Sequence, residues 1–145
     1  MLKSVFKWGL DNVLPKSAQN FIRRHIRSIV LRHHLRRLQQ NRASYLAKND
    51  PQALARLDRI VYGWGNSNWS ADSEYLRTCA ERAIAVNGQV LECGSGISTI
   101  VMAAASAQTN VNIIALEHES EWVDRVNAAL HQFGLSHTTG IRQTL

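Results

Sequence analysis

The sequence predicts an α/β fold, with a few parallel strands preceded by a helical segment. Two short segments are predicted strands: Gln89–Cys93, and Val111–Leu116, which is rich in β-branched residues and nearly continuous in its apolar character, as buried parallel strands are. A glycine turn and a stretch of small apolar residues lie between them, which is typical of a helix packed closely on a sheet. The 145 residues are 45% hydrophobic and 19% charged, as expected for one globular domain.

Charge divides the chain into two parts. Residues 1–48 contain eleven Lys/Arg and one Asp, for a formal charge of +10, whereas residues 49–145 sum to −4. We therefore predict a basic helical N-terminal segment over residues 1–50 and the N-terminal half of an α/β domain over residues 51–145.

Several classes of protein are disfavoured by composition. No apolar run is long enough to span a membrane, and Asp11 and Asn12 interrupt any signal-peptide core. Two cysteines, Cys79 and Cys93, make no disulfide framework and show no zinc spacing, so we expect both to be small buried residues. A cytoplasmic location fits best, with peripheral membrane contact as a further option.

The basic segment has a helical pattern from Phe21 to Tyr45, but its apolar stripe changes face near Leu31. Either two helices meet there, or one helix contacts different partners along its length. The arginine-rich helix could cap the domain, lie on an anionic membrane or contact nucleic acid. Capping is the commonest use, and nucleic acid is least favoured because no aromatic residues suited to base stacking are interleaved with the arginines. His33 and His34 are expected on a solvated face.

Helices are also expected around the two strands. Pro51 should begin a short helix ending near Ile60, followed by an aromatic loop, Tyr62–Trp69. Ser70 is a suitable N-cap for the next helix, which Asn87-Gly88 ends with a left-handed residue. Later helices are expected over 98–107 and from Ser120 to Gly134, and a third strand around Gly140 to Leu145.

The turn between the strands is the candidate site. Strand, glycine turn, helix and strand form a βαβ unit, and its first turn is where such sheets bind nucleotides. Gly94 and Gly96 let the backbone turn sharply and a ligand approach closely. Glu117, at the tip of the second strand, stands where an acid would hold a ribose hydroxyl pair.

The pattern departs from the dinucleotide fingerprint at two positions. Thr99 stands where that fingerprint has glycine or alanine, and Glu92 lies two residues before the first glycine. A carboxylate there would repel a pyrophosphate but suits a cationic ligand or an amino group. Both features disfavour NAD.

The segment from Val90 to Thr99 resembles the first motif of class I S-adenosylmethionine-dependent methyltransferases, and Ala115-Leu116-Glu117-His118 resembles their second. Ser98 stands where the family more often has a third glycine, a variant of some branches. The stretch from Trp64 to Leu76 looks like the helix and loop that precede the first motif and can close over the cofactor. The resemblance covers about residues 62 to 135.

This resemblance implies a Rossmann-like fold and S-adenosylmethionine as cofactor. The family's acid in the second motif takes the ribose hydroxyls, while the glycine turn and first-motif acid lie beside the cofactor's amino acid portion. The implied cofactor-binding residues are Glu92, Cys93, Gly94, Ser95, Gly96, Ser98, Thr99, Glu117 and His118. His118 could instead be an ordinary polar loop residue, and Trp64 and Trp69 could either line the pocket or pack beneath their own loop.

The family's sheet has seven strands, and the end of its fourth strand usually carries the residues that meet the methyl acceptor. The chain supplies two strands and the beginning of a third, so we expect a partial methyltransferase without an acceptor site and without turnover of its own. Its catalytic residues and methyl acceptor are unknown. Alternatives are an NAD(P)-binding oxidoreductase fragment and a non-catalytic adaptor whose basic helix binds a membrane or a partner.

Overall fold

A computed structural model describes residues 14–66 and 70–144. Within the described residues, four helices precede the first strand: α1 (Lys16–Gln40), α2 (Ala43–Leu46), α3 (Pro51–Trp64) and α4 (Ser73–Val86). The remaining elements alternate in order: β1 (Gln89–Cys93), α5 (Ile97–Ala105), β2 (Asn112–Glu117), α6 (Ser120–Gln132) and β3 (Thr139–Gln143). This is an α/β arrangement, as the sequence predicts.

The three described strands form a parallel sheet in the order β1-β2-β3. The register pairs Leu91 with Ile114, and Ile114 with Gly140. β1 therefore lies at an edge of the described sheet. A helix connects each strand to the next, which is the compact way to join parallel neighbours.

The core lies on one face of this sheet. Val90, Ile113 and Ile141, which share that face by their register, pack in or against the hydrophobic core with helices α1 to α6. Leu91, Ile114 and Leu116 project from the opposite face because side chains alternate along a strand, and they lie outside the core cluster. No helix of the described residues covers that face, although parallel sheets are normally covered on both.

Helix α1 is continuous through Leu31, so the single-helix alternative is correct, and the break comes at Asn41. Its C-terminal half is anchored on α3: Leu35 and Leu38 are fully buried, and a Cβ placed on Gly63 would come within 2.7 Å of the Leu31 backbone nitrogen. Such a close approach of two helix backbones is possible only with glycine at the contact.

The N-terminal half of α1 is different. Its apolar side chains Phe21, Ile26 and Ile29 are 73%, 36% and 56% exposed. The change of stripe seen in the sequence therefore separates an anchored half from a half whose apolar side chains face outward.

Several local expectations are wrong, each for a physical reason. Residues 62–64 continue α3 rather than forming a loop, and the left-handed Gly65 ends that helix. Asp72, not Ser70, caps α4 by accepting a hydrogen bond from the Tyr75 N–H, while the Ser70 hydroxyl donates to the Asn66 carbonyl. Trp69, part of the same expected loop, lies outside the described residues, as does Leu145 at the end of the expected third strand.

Burial also differs from expectation at the cysteines and at one histidine. Cys93 is exposed and Cys79 half-buried. Cys93 is exposed because it points from the uncovered face of β1. His34 is not solvated: its Nδ1 lies 2.8 Å from the Tyr45 hydroxyl at the start of the α1–α3 contact. Asn87 does adopt the left-handed conformation predicted for the end of α4, with φ 47°.

No helix among the described residues is long and apolar enough to cross a membrane.

Candidate functional site

Parallel pairing of β1 and β2 brings the two predicted acids to one edge of the sheet. Cys93 pairs with Leu116, so Glu92 and Glu117 lie at the carboxyl ends of neighbouring strands. The chain leaves β1 by a turn in which the Gly94 N–H donates to the Leu116 carbonyl at 2.7 Å. The turn thus continues the sheet by one more bond before α5 begins.

Gly94 has φ 93°, in the left-handed region where other residues are strained. A Cβ placed on Gly94 or on Gly96 would meet no other atom within 4 Å. The two glycines are therefore not required by close internal packing. They leave open space beside the turn, as a site for a closely approaching ligand requires.

Glu117 is buried and its carboxylate is fully hydrogen-bonded. Oε2 accepts from the Ser95 N–H at 2.8 Å and from the Ser95 hydroxyl at 3.0 Å, and Oε1 accepts from the N–H groups of His118 and Glu119. Burial alone raises the pKa of this carboxyl, but the bonds from Glu119, Ser95 and His118 together outweigh it and the pKa is lowered. Glu117 is thus held as a carboxylate that fixes the turn to the strand end.

Glu92 is bonded to the first turn of α5. Its two oxygens accept from the Ser98 hydroxyl at 2.6 Å and the Thr99 hydroxyl at 2.5 Å. Removal from water raises the pKa of Glu92; the two hydroxyl bonds oppose this, and the charge of Glu117 adds to it. The carboxylate lies at a helix N-terminus, where the helix dipole stabilises negative charge.

Thr99 explains the departure from the dinucleotide pattern. It is fully buried, accepts a hydrogen bond from the Gly96 N–H at 3.0 Å and donates to Glu92. A glycine at this position would remove both bonds. Thr99 therefore shapes the turn from a buried position, and its role in direct cofactor contact stays a prediction.

These bonds use the donors of the turn itself. The N–H groups of Gly94, Ser95 and Gly96 are bonded to Leu116, Glu117 and Thr99. A phosphate-binding loop needs such donors directed at the ligand. A pyrophosphate could use these three N–H groups only by displacing the bonds that they already make.

Two cavities flank the turn and share Gly94 and Ser95. The first, of about 620 Å³, contains Glu117 and is lined by Trp64, Asn66, Ser70, Gly94, Ser95, Gly96, Ile97, His118, Glu119 and Trp122. The second, of about 600 Å³, runs along the open edge of β1 beside α4 and contains Glu92, Cys93 and Ser98. Both volumes are in the range of small-molecule sites. The predicted residues thus surround one turn but are divided between two cavities.

An aromatic wall closes one side of the first cavity. The rings of Trp64 and Trp122 lie 6.2 Å apart, and the Arg125 guanidinium lies 4.2 Å and 4.8 Å from their centroids. Arg125 also donates to the Trp64 carbonyl at 2.6 Å. Trp64 therefore lines the cavity. Of the two alternatives that the sequence left open for it, lining a pocket or packing beneath its own loop, the first is correct.

Sequence reasoning missed Trp122 and Arg125. Trp122 falls on the apolar stripe of its helix, a pattern that predicts a core position, and Arg125 belongs to no recognisable motif. Only the meeting of the ends of α3 and α6 brings them together. His118 was predicted beside the ribose acid; it borders the cavity, but its side chain is 75% exposed, with Nδ1 3.3 Å from Glu117 Oε1.

The described residues contain no cluster of three or more His, Cys, Asp or Glu side chains suited to a metal ion. The geometry defines the class of site: a glycine turn at the carboxyl edge of a parallel sheet, with an acid at each strand end and an aromatic-walled cavity. Comparison with models of known protein families, with characterised proteins and with solved structures gives no significant match.

Proposed function

We propose that the chain binds S-adenosylmethionine at this turn and is the cofactor-binding part of a methyltransferase. The observation that carries the proposal is the arrangement of Glu117, the open glycine turn and the aromatic-walled cavity at one sheet edge. Bound there, the cofactor would supply an activated methyl group on a sulfonium.

The chemistry of the cavity supports a nucleoside. Trp122, which is half-buried, provides aromatic surface against which an adenine ring can pack, with the buried Trp64 and Ile97 beside it in the cavity lining. Glu117 provides the acceptor for a ribose hydroxyl pair. The second cavity, reached across Gly94 and Ser95, has the Glu92 carboxylate to attract the cationic amino group and sulfonium of the methyl donor.

A dinucleotide is the less favourable ligand. The donors of the glycine turn are bonded within the protein, and Glu92 places a carboxylate at the α5 N-terminus where a pyrophosphate would lie. A phosphate would have to displace these bonds and approach a carboxylate. The oxidoreductase alternative is therefore the second choice.

Ribose binding requires one rearrangement. A carboxylate offers about four acceptor positions, and Glu117 already uses four. The bond from the Ser95 hydroxyl is the only one of these that a side-chain rotation can release, since the other three come from backbone N–H groups. We expect the Ser95 hydroxyl to turn away when a ligand hydroxyl takes its place.

Calorimetry with S-adenosylhomocysteine tests the proposal. We expect the wild-type chain to bind it, and Glu117→Ala to weaken the affinity by at least about tenfold, because hydrogen bonds to a charged group contribute about 1.5 to 3 kcal/mol each. Glu119→Ala is the matched control: this neighbouring acid is 59% exposed. The control should bind within about twofold of wild type.

Other results would contradict the proposal. Binding of NAD without S-adenosylhomocysteine would support the oxidoreductase alternative, and no nucleotide binding would support the adaptor. Equal loss of affinity in both Glu variants would show that charge near the turn, rather than the Glu117 contact, decides binding.

A further inference from the structure

The N-terminal half of α1 has a row of apolar side chains that contact no core. Phe21 and Ile29 are 73% and 56% exposed, Ile26 is 36% exposed and Ile22 is half-buried. None of the four belongs to the hydrophobic core or packs against it. Large apolar residues occur singly on many surfaces, but four on one short helical face are unusual and mark an interaction site.

Helical geometry places this row away from the domain. At about 100° per residue, Phe21, Ile22, Ile26 and Ile29 span an arc of about 140°. Leu31, Leu35 and Leu38, which anchor α1 on α3, fall outside this arc, on a different side of the same helix. The arc is directed outward, as the exposure of Phe21, Ile26 and Ile29 shows.

Basic side chains border the arc and continue it. Arg23 and Arg24 each lie about 60° beyond its two edges, and Arg32 follows it three residues after Ile29. Over its whole length, α1 has seven Lys/Arg and no Asp or Glu. Arg24 lies on the side of Leu31 and lines, with Arg27, the groove beneath α1. Arg23 and Arg32 are therefore the cationic side chains that border the outward apolar strip.

We propose that the N-terminal half of α1 binds the surface of an anionic phospholipid bilayer. Phe21, Ile22, Ile26 and Ile29 enter the boundary between headgroups and acyl chains, and the arginines lie at headgroup level. Charge complementarity selects this occupant, since anionic lipid neutralises a helix that has only positive charge.

Two other occupants agree less well with the same observations. A second copy of the chain would place seven positive charges beside seven others along paired helices. The phosphates of a nucleic acid would bind the arginines. Phosphates and sugars are polar, however, so they would leave the apolar arc without a contact.

The test is flotation of the full chain with vesicles. We expect binding to phosphatidylcholine vesicles that contain about 30% phosphatidylserine, and little binding to phosphatidylcholine alone. Phe21→Ser combined with Ile29→Ser should lower the partition coefficient by more than about tenfold. Val86→Ser is the matched control, because Val86 on α4 is as exposed as Ile29, at 56%.

Charge variants separate the two contributions. Arg32→Gln and Arg36→Gln should each lower partitioning about fivefold, because both exposed arginines continue the line of the arc, whereas Arg82→Gln, an exposed arginine on α4, should not. Circular dichroism should show unchanged helix content in every variant, since the substituted side chains are outside the core.

Three results would overturn the proposal: equal partitioning onto neutral and anionic vesicles, loss with the arginine variants but not with the apolar pair, or no vesicle binding at all. In the last case, tight binding of duplex DNA would assign the surface to nucleic acid. A dimer in sedimentation that the apolar pair dissociates would assign it to a second copy.

Discussion

Glu92 and Glu117 occupy equivalent ends of neighbouring strands, yet their pKa values are shifted in opposite directions. Glu92 loses water and receives two hydroxyl bonds, which do not offset the desolvation. Glu117 accepts three backbone N–H bonds and one hydroxyl bond, and together these bonds outweigh the effect of desolvation on its pKa. The number of donors directed at each carboxylate, rather than burial alone, decides the direction.

This difference predicts opposite pH dependence of stability. The raised pKa of Glu92 means that its contribution is fully present below its unfolded pKa and is lost as pH rises through the folded pKa. The lowered pKa of Glu117 gives a contribution that is present above its unfolded pKa and lost as pH falls through the folded pKa.

Urea unfolding between about pH 4 and pH 7 measures this, with Glu92→Gln and Glu117→Gln as a matched pair. The quantity compared is the free energy of unfolding of the wild type minus that of the variant. As pH rises, this difference should fall for Glu92→Gln and rise for Glu117→Gln. Parallel changes in the two differences would contradict the assigned causes.

The sequence located the two acids and the glycine turn because strand ends and glycine spacing are local signals. It could not show that Ser95 and Ser98 hydroxyls already bond those acids, since hydroxyl positions depend on packed geometry. Nor could it show that Thr99 turns inward. The assignment of these residues to S-adenosylmethionine stays a prediction.

At the level of elements, the contact between α1 and α3 depends on Gly63. A Cβ there would lie 2.7 to 2.9 Å from the backbone nitrogen, Cα and Cβ of Leu31. Backbone atoms cannot move aside as a flexible side chain can, so the two helices would have to separate.

Gly63→Ala should therefore destabilise the chain. Alanine favours a helix by up to about 1 kcal/mol over glycine, but overpacking costs about 1 to 3 kcal/mol. We expect a net loss of about 1 to 2 kcal/mol in the free energy of unfolding. Gly140→Ala is the control, because no atom lies within 4 Å of a Cβ built there. A stabilised Gly63→Ala variant would show that the contact is looser than described.

The same glycine shows where sequence reasoning fails for elements. Strand β1 is predicted residue for residue and β2 to within one, because apolar β-branched runs have few alternative structures. The predicted end of α3 is wrong. Two glycines among aromatic residues favour a loop, and the sequence alone does not show that α1 packs against this segment. The N-cap of α4 is Asp72 rather than the predicted Ser70, because which of several nearby polar residues caps a helix depends on where the chain turns.

At the scale of the whole described structure, the sheet face that no helix of residues 14–66 and 70–144 covers is the main departure from a closed α/β domain. Leu91 is 65% exposed, and Ile114 and Leu116 beside it are half-buried although they lie on a central strand. The expectation that Cys93 is buried failed for this reason. Sequence pattern shows that a strand is apolar on both faces but not whether both faces are covered.

An exposed apolar edge strand promotes association between molecules. Leu91→Lys should therefore raise the protein concentration at which light scattering first detects association, without loss of stability. Val86→Lys provides the comparison, because it adds the same charge at an exposed apolar residue of α4. An equal gain from both variants would mean that net charge, not the sheet face, sets solubility.

Trp64, at the end of α3, borders both the cavity beside Glu117 and the groove that Arg24 and Arg27 form beneath the N-terminal half of α1. Trp64 therefore lies between the cavity proposed for the cofactor and the groove beneath the helix proposed to bind lipid. If both proposals hold, a chain adsorbed to a bilayer keeps its methyl donor near the headgroups. Acceptors dissolved in the same bilayer would then reach it by lateral diffusion, and their effective concentration would be set by surface density rather than by volume.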